Sequence, residues 1–284
     1  MNKNITAMIF TLNEERRLPY VYENLKNFCE LIVFDGGSTD GTMEFCKKNN
    51  IKFLSRPKAD ASDEMRLSEF VWSYEQVATD YVLHVYCAHF YPKELLNVLS
   101  QIAIDNKFMA VYHDVVIHRY GVVVHRPMFR RISSACVFYK KNAVNFKHAK
   151  IHDELAIHYD NKTMKRLEAL DELSLHLFHD EDCQSFTNKT IKYAATEASQ
   201  KFRSGKRVGA YGILFKPAMR FIYSYFRVGA VEKGVPSLVY AISNLIYDIN
   251  VNIMLWELSN GLDRPGGVMA NNKIRSKLNK MFCS

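Results

Sequence analysis

Cysteine is scarce in this 284-residue chain, and none of the six (Cys29, Cys46, Cys87, Cys136, Cys183, Cys283) stands in a CxxC pair. A zinc ribbon and a disulfide-stapled scaffold are thereby excluded, and reduced thiols in a cytosolic protein are expected. With only 12 Gly and 7 Pro, and with 48% hydrophobic and 24% charged residues, the chain is neither collagen-like, low-complexity nor disordered. No glycine-rich turn is followed by Gly-Lys-Ser/Thr, and no GxGxxG occurs, so two common phosphate-binding loops are missing. No internal repeat with a period of 20 to 50 residues is apparent. Long uninterrupted apolar runs are also missing. The most apolar stretch, Gly234 to Trp256, is broken by Asn244, Asp248, Asn250 and Asn252. It falls short of the roughly 18 consecutive apolar residues of a spanning helix, and an interfacial or buried helix is expected. The apolar run at the start stops at Asn13-Glu14-Glu15 and reads as a first strand, not as a secretory leader.

What is present is an uneven charge. The formal net charge is +8, yet Ile191 to the end holds 14 Lys/Arg against 5 Asp/Glu, and the first 190 residues are close to neutral. A near-neutral domain therefore carries a basic tail. There Lys201, Arg203, Lys206, Arg207, Lys216, Arg220 and Arg227 interleave with Phe and Tyr. Cations mixed with aromatic rings suit a lipid headgroup interface. A nucleic acid would also want both, but no recognisable RNA or DNA module accompanies them, so an anionic membrane surface is expected and nucleic acid is not. The plainer alternative is a soluble helical appendage.

The first half alternates apolar strand-like runs with helical spacing. Strands are predicted at Ala7–Thr11, Leu31–Phe34, Ile51–Leu54 and Tyr81–Tyr86, with helices at Glu14–Asn27, Thr42–Asn49 and Asp63–Val77. This alternation predicts an α/β fold with a parallel sheet. Ligands of such sheets sit at the carboxyl ends of the strands, which groups Thr11–Glu15, Asp35–Asp40 and Tyr86–His89 around one crevice. Further strands are predicted at Phe108–Tyr112, Val115–Val124 and Ala135–Tyr139, and helices from Glu181 onward. The most informative segment is Asp35-Gly36-Gly37-Ser38-Thr39-Asp40-Gly41-Thr42. A strand delivers an aspartate, two glycines allow close approach or positive φ, and Ser, Thr and Asp cap the next helix. An ordinary strand-turn-helix corner would look much the same.

The order and spacing of these segments resemble the family 2 glycosyltransferases, which have the GT-A fold. Their first strand ends in Thr-x-Asn-Glu-Glu, matched by Thr11-Leu12-Asn13-Glu14-Glu15. Their second ends in Asp-x-Gly-Ser-Thr-Asp-Gly-Thr, matched by Asp35 to Thr42. Arg66 and Asp80-Tyr81-Val82-Leu83 fall where the family has an arginine and a similar strand. His125-Arg126-Pro127-Met128-Phe129-Arg130-Arg131, Ile151-His152-Asp153-Glu154-Leu155 and Leu173-Ser174-Leu175-His176 resemble segments of the lipopolysaccharide-core β-glucosyltransferase-like branch.

The resemblance implies a GT-A domain over residues 1–200 and a basic, helical, membrane-associating extension over 201–284. It implies an inverting enzyme that moves a sugar from a nucleotide sugar, of the uridine diphosphate class, to a cell-envelope glycan or glycolipid. Its expected place is the cytoplasm, on the inner face of the cytoplasmic membrane. Thr11, Asn13, Glu14, Asp35, Gly37, Ser38 and Arg66 would line the nucleotide-sugar pocket, with Asp35 facing the base. Asp153 stands at the family's catalytic carboxylate, and Glu154 would serve one register on. Without that context the pair reads as a solvated acidic cluster.

One departure stands out. The family carries Asp-x-Asp after the fourth strand to hold Mg²⁺ or Mn²⁺, and here Tyr86-Cys87-Ala88-His89 stands instead. Such cations want oxygen ligands. Three readings follow: a metal-independent enzyme in which Arg126, Arg130, Arg131 and His89 face the leaving diphosphate; a metal held in another way, with His89 as a weaker ligand; or a catalytically degenerate protein that binds a nucleotide sugar or glycan. The first is favoured, because the other motifs persist.

Overall fold

The computed structural model describes residues 2–57, 71–125, 134–144, 163–179, 182–227 and 234–282. Two compact units divide the chain, Met1–His179 and Asp180–Ser284.

The first unit is α/β. Its strands are β1 (Asn2–Thr11), β2 (Cys29–Asp35), β3 (Lys52–Ser55), β4 (Tyr81–Tyr86), β5 (His89–Phe90), β6 (Ala110–Arg119), β7 (Val122–His125), β8 (Ser134–Lys140), β9 (Met164–Arg166) and β10 (Leu175–His179). Helices α1 (Leu18–Leu25), α2 (Thr42–Lys48) and α3 (Lys93–Asp105) intervene. The main path of the sheet is β3-β2-β1-β4-β8-β6-β10-β5, with β7 and β9 pairing on β6. Strands β3, β2, β1 and β4 are mutually parallel, and β8 then runs antiparallel to β4 and β6. The parallel half expected from the sequence is therefore present, and a mixed half extends it.

Alternation along each strand splits the core. Ile5, Ala7, Ile9, Val33, Leu83 and Val85 pack with Leu18, Val21 and Leu25 of α1 and with Leu95, Leu99 and Ile102 of α3. Met8, Phe10, Ile32, Phe34 and Val82 belong to the other cluster, with Tyr74, Val77 and Tyr139. The bury-both-faces pattern is why these strands read as nearly continuous apolar runs.

Several elements differ from the sequence expectation. Helix α1 begins at Leu18 rather than Glu14, because Glu14–Arg17 form a turn and Pro19 occupies the first helical turn, where its missing N–H costs nothing. Strand β6 runs unbroken through His113-Asp114, where the sequence suggested a break. Both side chains are buried, and Asp114 is satisfied by the Arg166 guanidinium at 3.0 Å. The break comes later, at Tyr120-Gly121, where both residues have positive φ (52° and 75°) and a two-residue hairpin leads into β7. Helix α3, stopped by left-handed Asn106, and strands β9 and β10 were not expected.

The second unit is helical: α4 (Cys183–Arg203), α5 (Ala210–Ile222), α6 (Val235–Ser259) and α7 (Arg264–Phe282). The domain boundary expected at residue 200 falls inside α4. Asp182 caps that helix by accepting from Ser185 N at 2.7 Å. Polar ties join its members: Arg220 to Asp248 at 2.9 Å, Asn252 Nδ2 to the Gly212 carbonyl at 3.0 Å, and the Tyr247 hydroxyl donating to Glu197. Helix α6 is continuous over 25 residues, and an 18-residue window within it has a mean hydropathy of 1.3, so the helix is long and apolar enough to cross a membrane by length and composition. That is a property of length and composition alone, and the expectation of an interfacial or buried helix stands beside it. Helix α5 exposes Tyr211, Leu214, Phe215, Met219 and Ile222.

Candidate functional site

Two consecutive strand–loop–helix units build the crevice. Strands β1 and β2 are parallel with Thr11 opposite Asp35, so their carboxyl ends are level and the loops that follow lie side by side. Those loops are sewn together residue by residue. Asn13 N donates to Ser38 Oγ at 2.8 Å, and Thr39 N donates to Asn13 Oδ1 at 2.8 Å. Glu14 N donates to Thr42 Oγ1 at 2.9 Å, and Glu15 N to Asp40 Oδ2 at 3.0 Å. Asn13 reaches these partners from a left-handed conformation, φ 57°, which asparagine adopts more readily than most residues. Thr11, Asn13, Glu14 and Glu15 of the first motif thus each have a partner in the second.

Asp35 is the tie-point. Its side chain is buried, and Oδ2 accepts from Gly37 N at 2.8 Å and from Ser38 N at 2.7 Å. Oδ1 accepts from Thr11 Oγ1 at 2.8 Å and from the Ser38 hydroxyl. Burial alone would raise the pKa of this carboxyl. The hydrogen bonds from Ser38, Thr11 and Gly37 outweigh it and hold the pKa below its ordinary value. A carboxylate offers about four lone-pair positions, and four donors from its own loops engage this one. Gly37 turns the chain at φ 99°, a conformation costly for any residue with a Cβ.

Thr11, Asn13, Glu14, Asp35, Gly37 and Ser38 are therefore brought together as the sequence suggested. Glu14 points its carboxylate at Arg17, which grips it at 2.7 and 2.8 Å. Arg66, Arg126, Arg130, Arg131, Asp153 and Glu154 lie outside the described residues.

Arg56 is a site residue that the sequence reading missed. It follows β3, its N–H donates to the Asp35 carbonyl at 2.8 Å, and its guanidinium lies 5.6 Å from the centre of the Phe10 ring. Its Nη2 is 3.5 Å from the Thr11 carbonyl. A Cβ at Gly36 would come within 2.5 Å of that nitrogen, so the glycine is what lets the cation reach the crevice floor. The available signal was a lone arginine at the carboxyl end of a third parallel strand. An open depression of about 730 Å³ lies beside these loops, toward α2. Glu15, Asp40 and Glu44 give it an acidic wall unsuited to a diphosphate, and neither Thr11 nor Asp35 lines it.

The end of β4 has a different character. Tyr86 is exposed, Cys87 is buried with its thiol pKa pushed up by burial, and Ala88 brings no ligand. His89 is buried, with Nδ1 3.3 Å from Tyr86 N and 3.1 Å from the Tyr91 hydroxyl. Burial first, then the neighbouring His84 and His113, lowers its pKa to about 3. The ring is neutral at physiological pH. In this structure His89 is an interior ring that helps to fix the turn. Among the described residues no group of three His, Cys, Asp or Glu could hold a metal ion, and the side chains at this turn do not fit Mg²⁺ or Mn²⁺.

No protein-family model matches the chain. It is 24% identical over 254 residues to the lipopolysaccharide core biosynthesis glycosyltransferase LpsC of Rhizobium meliloti, covering 86% of this chain and 88% of that protein. It is 21% identical over 255 residues to an uncharacterized glycosyltransferase of Rickettsia typhi, covering 86% and 85%. The crystal structure of S. aureus TarS 1–349 superposes with a TM-score of 0.46 at 16% identity, over 91% of this chain and 92% of that one. The relatives bear out the resemblance to glycosyltransferases read from the two loop motifs.

Proposed function

We propose that this protein transfers a sugar from a nucleotide diphosphate donor, of the uridine class, to a hydroxyl of a cell-envelope glycan or glycolipid, with inversion at the anomeric carbon. The observation that carries the reading is the interlocked pair of loops at the level ends of β1 and β2, with Arg56 beside them. They form an interlocked rim where open α/β sheets take their ligands. The glycosyltransferase relatives, which span most of the chain, support it.

In this reading a carboxylate takes the proton of the acceptor hydroxyl. That oxygen bonds to the anomeric carbon as the bond to the diphosphate breaks, and the nucleoside diphosphate leaves. Asp153 is the proposed base, with Glu154 as the alternative, and a positioned base is worth about 10²–10⁴-fold. Arg126, Arg130 and Arg131 are proposed to balance the charge on the leaving group in place of a divalent cation. The turn at Tyr86-Cys87-Ala88 favours one second reading, a protein that binds the donor without turnover.

We also place the second unit at an anionic membrane surface, on the cytoplasmic side. The exposed stripe of α5 flanked by Lys216 and Arg220 supports this, because apolar area and basic headgroup contacts act together at an interface.

The test is incubation of the purified chain with UDP-glucose, UDP-galactose and UDP-N-acetylglucosamine together with bacterial membrane extract, with and without a chelator. Release of UDP that requires the extract is expected, as is its loss in Asp153→Ala with UDP binding retained. Binding of UDP without release would favour the second reading. No UDP binding by a folded chain would reject both. For the membrane, co-sedimentation with phosphatidylglycerol vesicles should fall at least tenfold in Lys216→Glu/Arg220→Glu. Equal pelleting of both proteins would reject that placement.

A further inference from the structure

Beyond the loop pair, the sheet carries an ordered aromatic and imidazole stripe that the reading above does not use. Strand β10 lies parallel to β6 and antiparallel to β5, with Phe178 opposite His118 and His176 opposite Phe90. Leu175 and Leu177 face the core shared with α1 and α3. By alternation His176 and Phe178 face the other way. His118 stacks on Phe178 at 4.4 Å with ring planes 13° apart. His176 follows at 5.1 Å, and Phe90 meets His176 edge-on at 6.2 Å. Four rings from three strands thus form one stripe. Phe90 is 43% and Phe178 38% exposed, a large fraction for aromatic rings so well stacked.

The imidazoles are held in place. His176 Nε2 is 3.0 Å from the Asp171 carbonyl, which can only accept, so this nitrogen carries the proton. His176 Nδ1 then accepts from His118 Nε2 at 2.8 Å. The two bonds together fix the orientation of both rings. The stripe also joins the crevice directly: Phe178 N donates to the Ala88 carbonyl at 2.8 Å, in the turn that ends β4. Exposed aromatic faces beside oriented polar groups are the usual lining of a small-molecule subsite. A pyranose presents both an apolar C–H face and a rim of hydroxyls, and it matches such a lining better than a purely apolar or a charged ligand would.

We propose that the Phe90–His176–His118–Phe178 stripe is a saccharide subsite that seats a pyranose ring of the acceptor next to the donor crevice. The proposal rests on the sugar-transfer reading, and its test separates the two. Saturation-transfer NMR would be recorded on the full chain with saturating UDP and the methyl glycosides of glucose, galactose, mannose and N-acetylglucosamine. UDP affinity would be measured in parallel by calorimetry. At least one glycoside should receive saturation on its C–H face. That transfer should fall roughly three- to tenfold, the scale of one lost aromatic contact, in Phe178→Ala. It should fall equally in Phe178→Leu, which keeps an apolar side chain at that position and decides the matter if the alanine variant misfolds. UDP affinity should not move in either variant. Absence of transfer to all four glycosides, or transfer unchanged in the variants, with UDP still bound, overturns the subsite and leaves the donor reading standing. Loss of UDP binding by the wild-type chain overturns both.

Discussion

Replacing Asp35 by asparagine separates two roles that the site could give this residue. If its carboxylate chiefly faces a ligand, the change should harm binding and spare stability. The four donors around it argue for the opposite weighting. In the variant, the amide oxygen would remain with the Gly37 and Ser38 N–H groups, and the amide nitrogen would turn to Thr11 and Ser38, whose hydroxyls can rotate to accept. All four bonds survive in number but lose charge assistance. Hydrogen bonds to charged groups contribute about 1.5–3 kcal/mol and neutral ones about 0.5–1.5, so about 1 kcal/mol is lost per bond. Part of this is recovered by no longer burying a charge, which leaves a net loss of about 2–4 kcal/mol. That is a large share of the about 5–15 kcal/mol that holds a typical domain folded. Urea titration followed by circular dichroism should show a lower midpoint at an unchanged slope, with a fall in melting temperature of about 5–15 °C. UDP affinity should fall as well, because the rim loosens. A change in stability below about 0.5 kcal/mol, with UDP binding abolished, would refute the scaffold argument.

Acid should unfold the first unit early. Burial lowers His84, His89 and His113 to about 3, about 3 and about 4, against an ordinary value of 6.5. The unfolded chain therefore binds more protons between those limits, and stability is full above pH 6.5 and falls as pH drops, by about 1.4 kcal/mol per unit for each histidine. Urea titrations followed by circular dichroism should therefore show stability falling between pH 6.5 and pH 5; constant stability between pH 7 and 5 would reject this. Gly36→Ala and Arg56→Gln should act on the same contact. Their combined effect in urea should fall short of the sum of the single effects by at least about 0.5 kcal/mol, and strict additivity would place Arg56 elsewhere. Gly37→Ala should cost about 1–3 kcal/mol from its φ of 99° alone, read as a shifted urea midpoint. An unshifted midpoint would mean that the turn relaxes freely.

The paired loops of the site were legible because they are local. Thr11–Glu15 and Asp35–Thr42 belong to adjoining strand–loop–helix units, and the residue types demanded by their turns are visible in the chain order. Arg56 was not legible, since nothing in its neighbours says that Gly36 leaves it room. The stripe on β10 was hidden for another reason. Leu175–His179 is short and finds its place only by insertion between β6 and β5, some 60 to 90 residues away in the chain. The continuity of β6 through His113-Asp114 depended on Arg166, equally remote. A buried carboxylate whose partner comes from a distant strand looks, in the chain alone, like a polar interruption.

The seam between the two loops also bears on the order of assembly. All its bonds join residues 24 to 28 positions apart, so closing it demands little chain entropy, and such near-neighbour contacts form early. During vectorial synthesis the segment through Arg56 emerges first. The pocket rim is then a seed on which β4 and the later strands dock, and damage to the rim should slow folding more than it speeds unfolding.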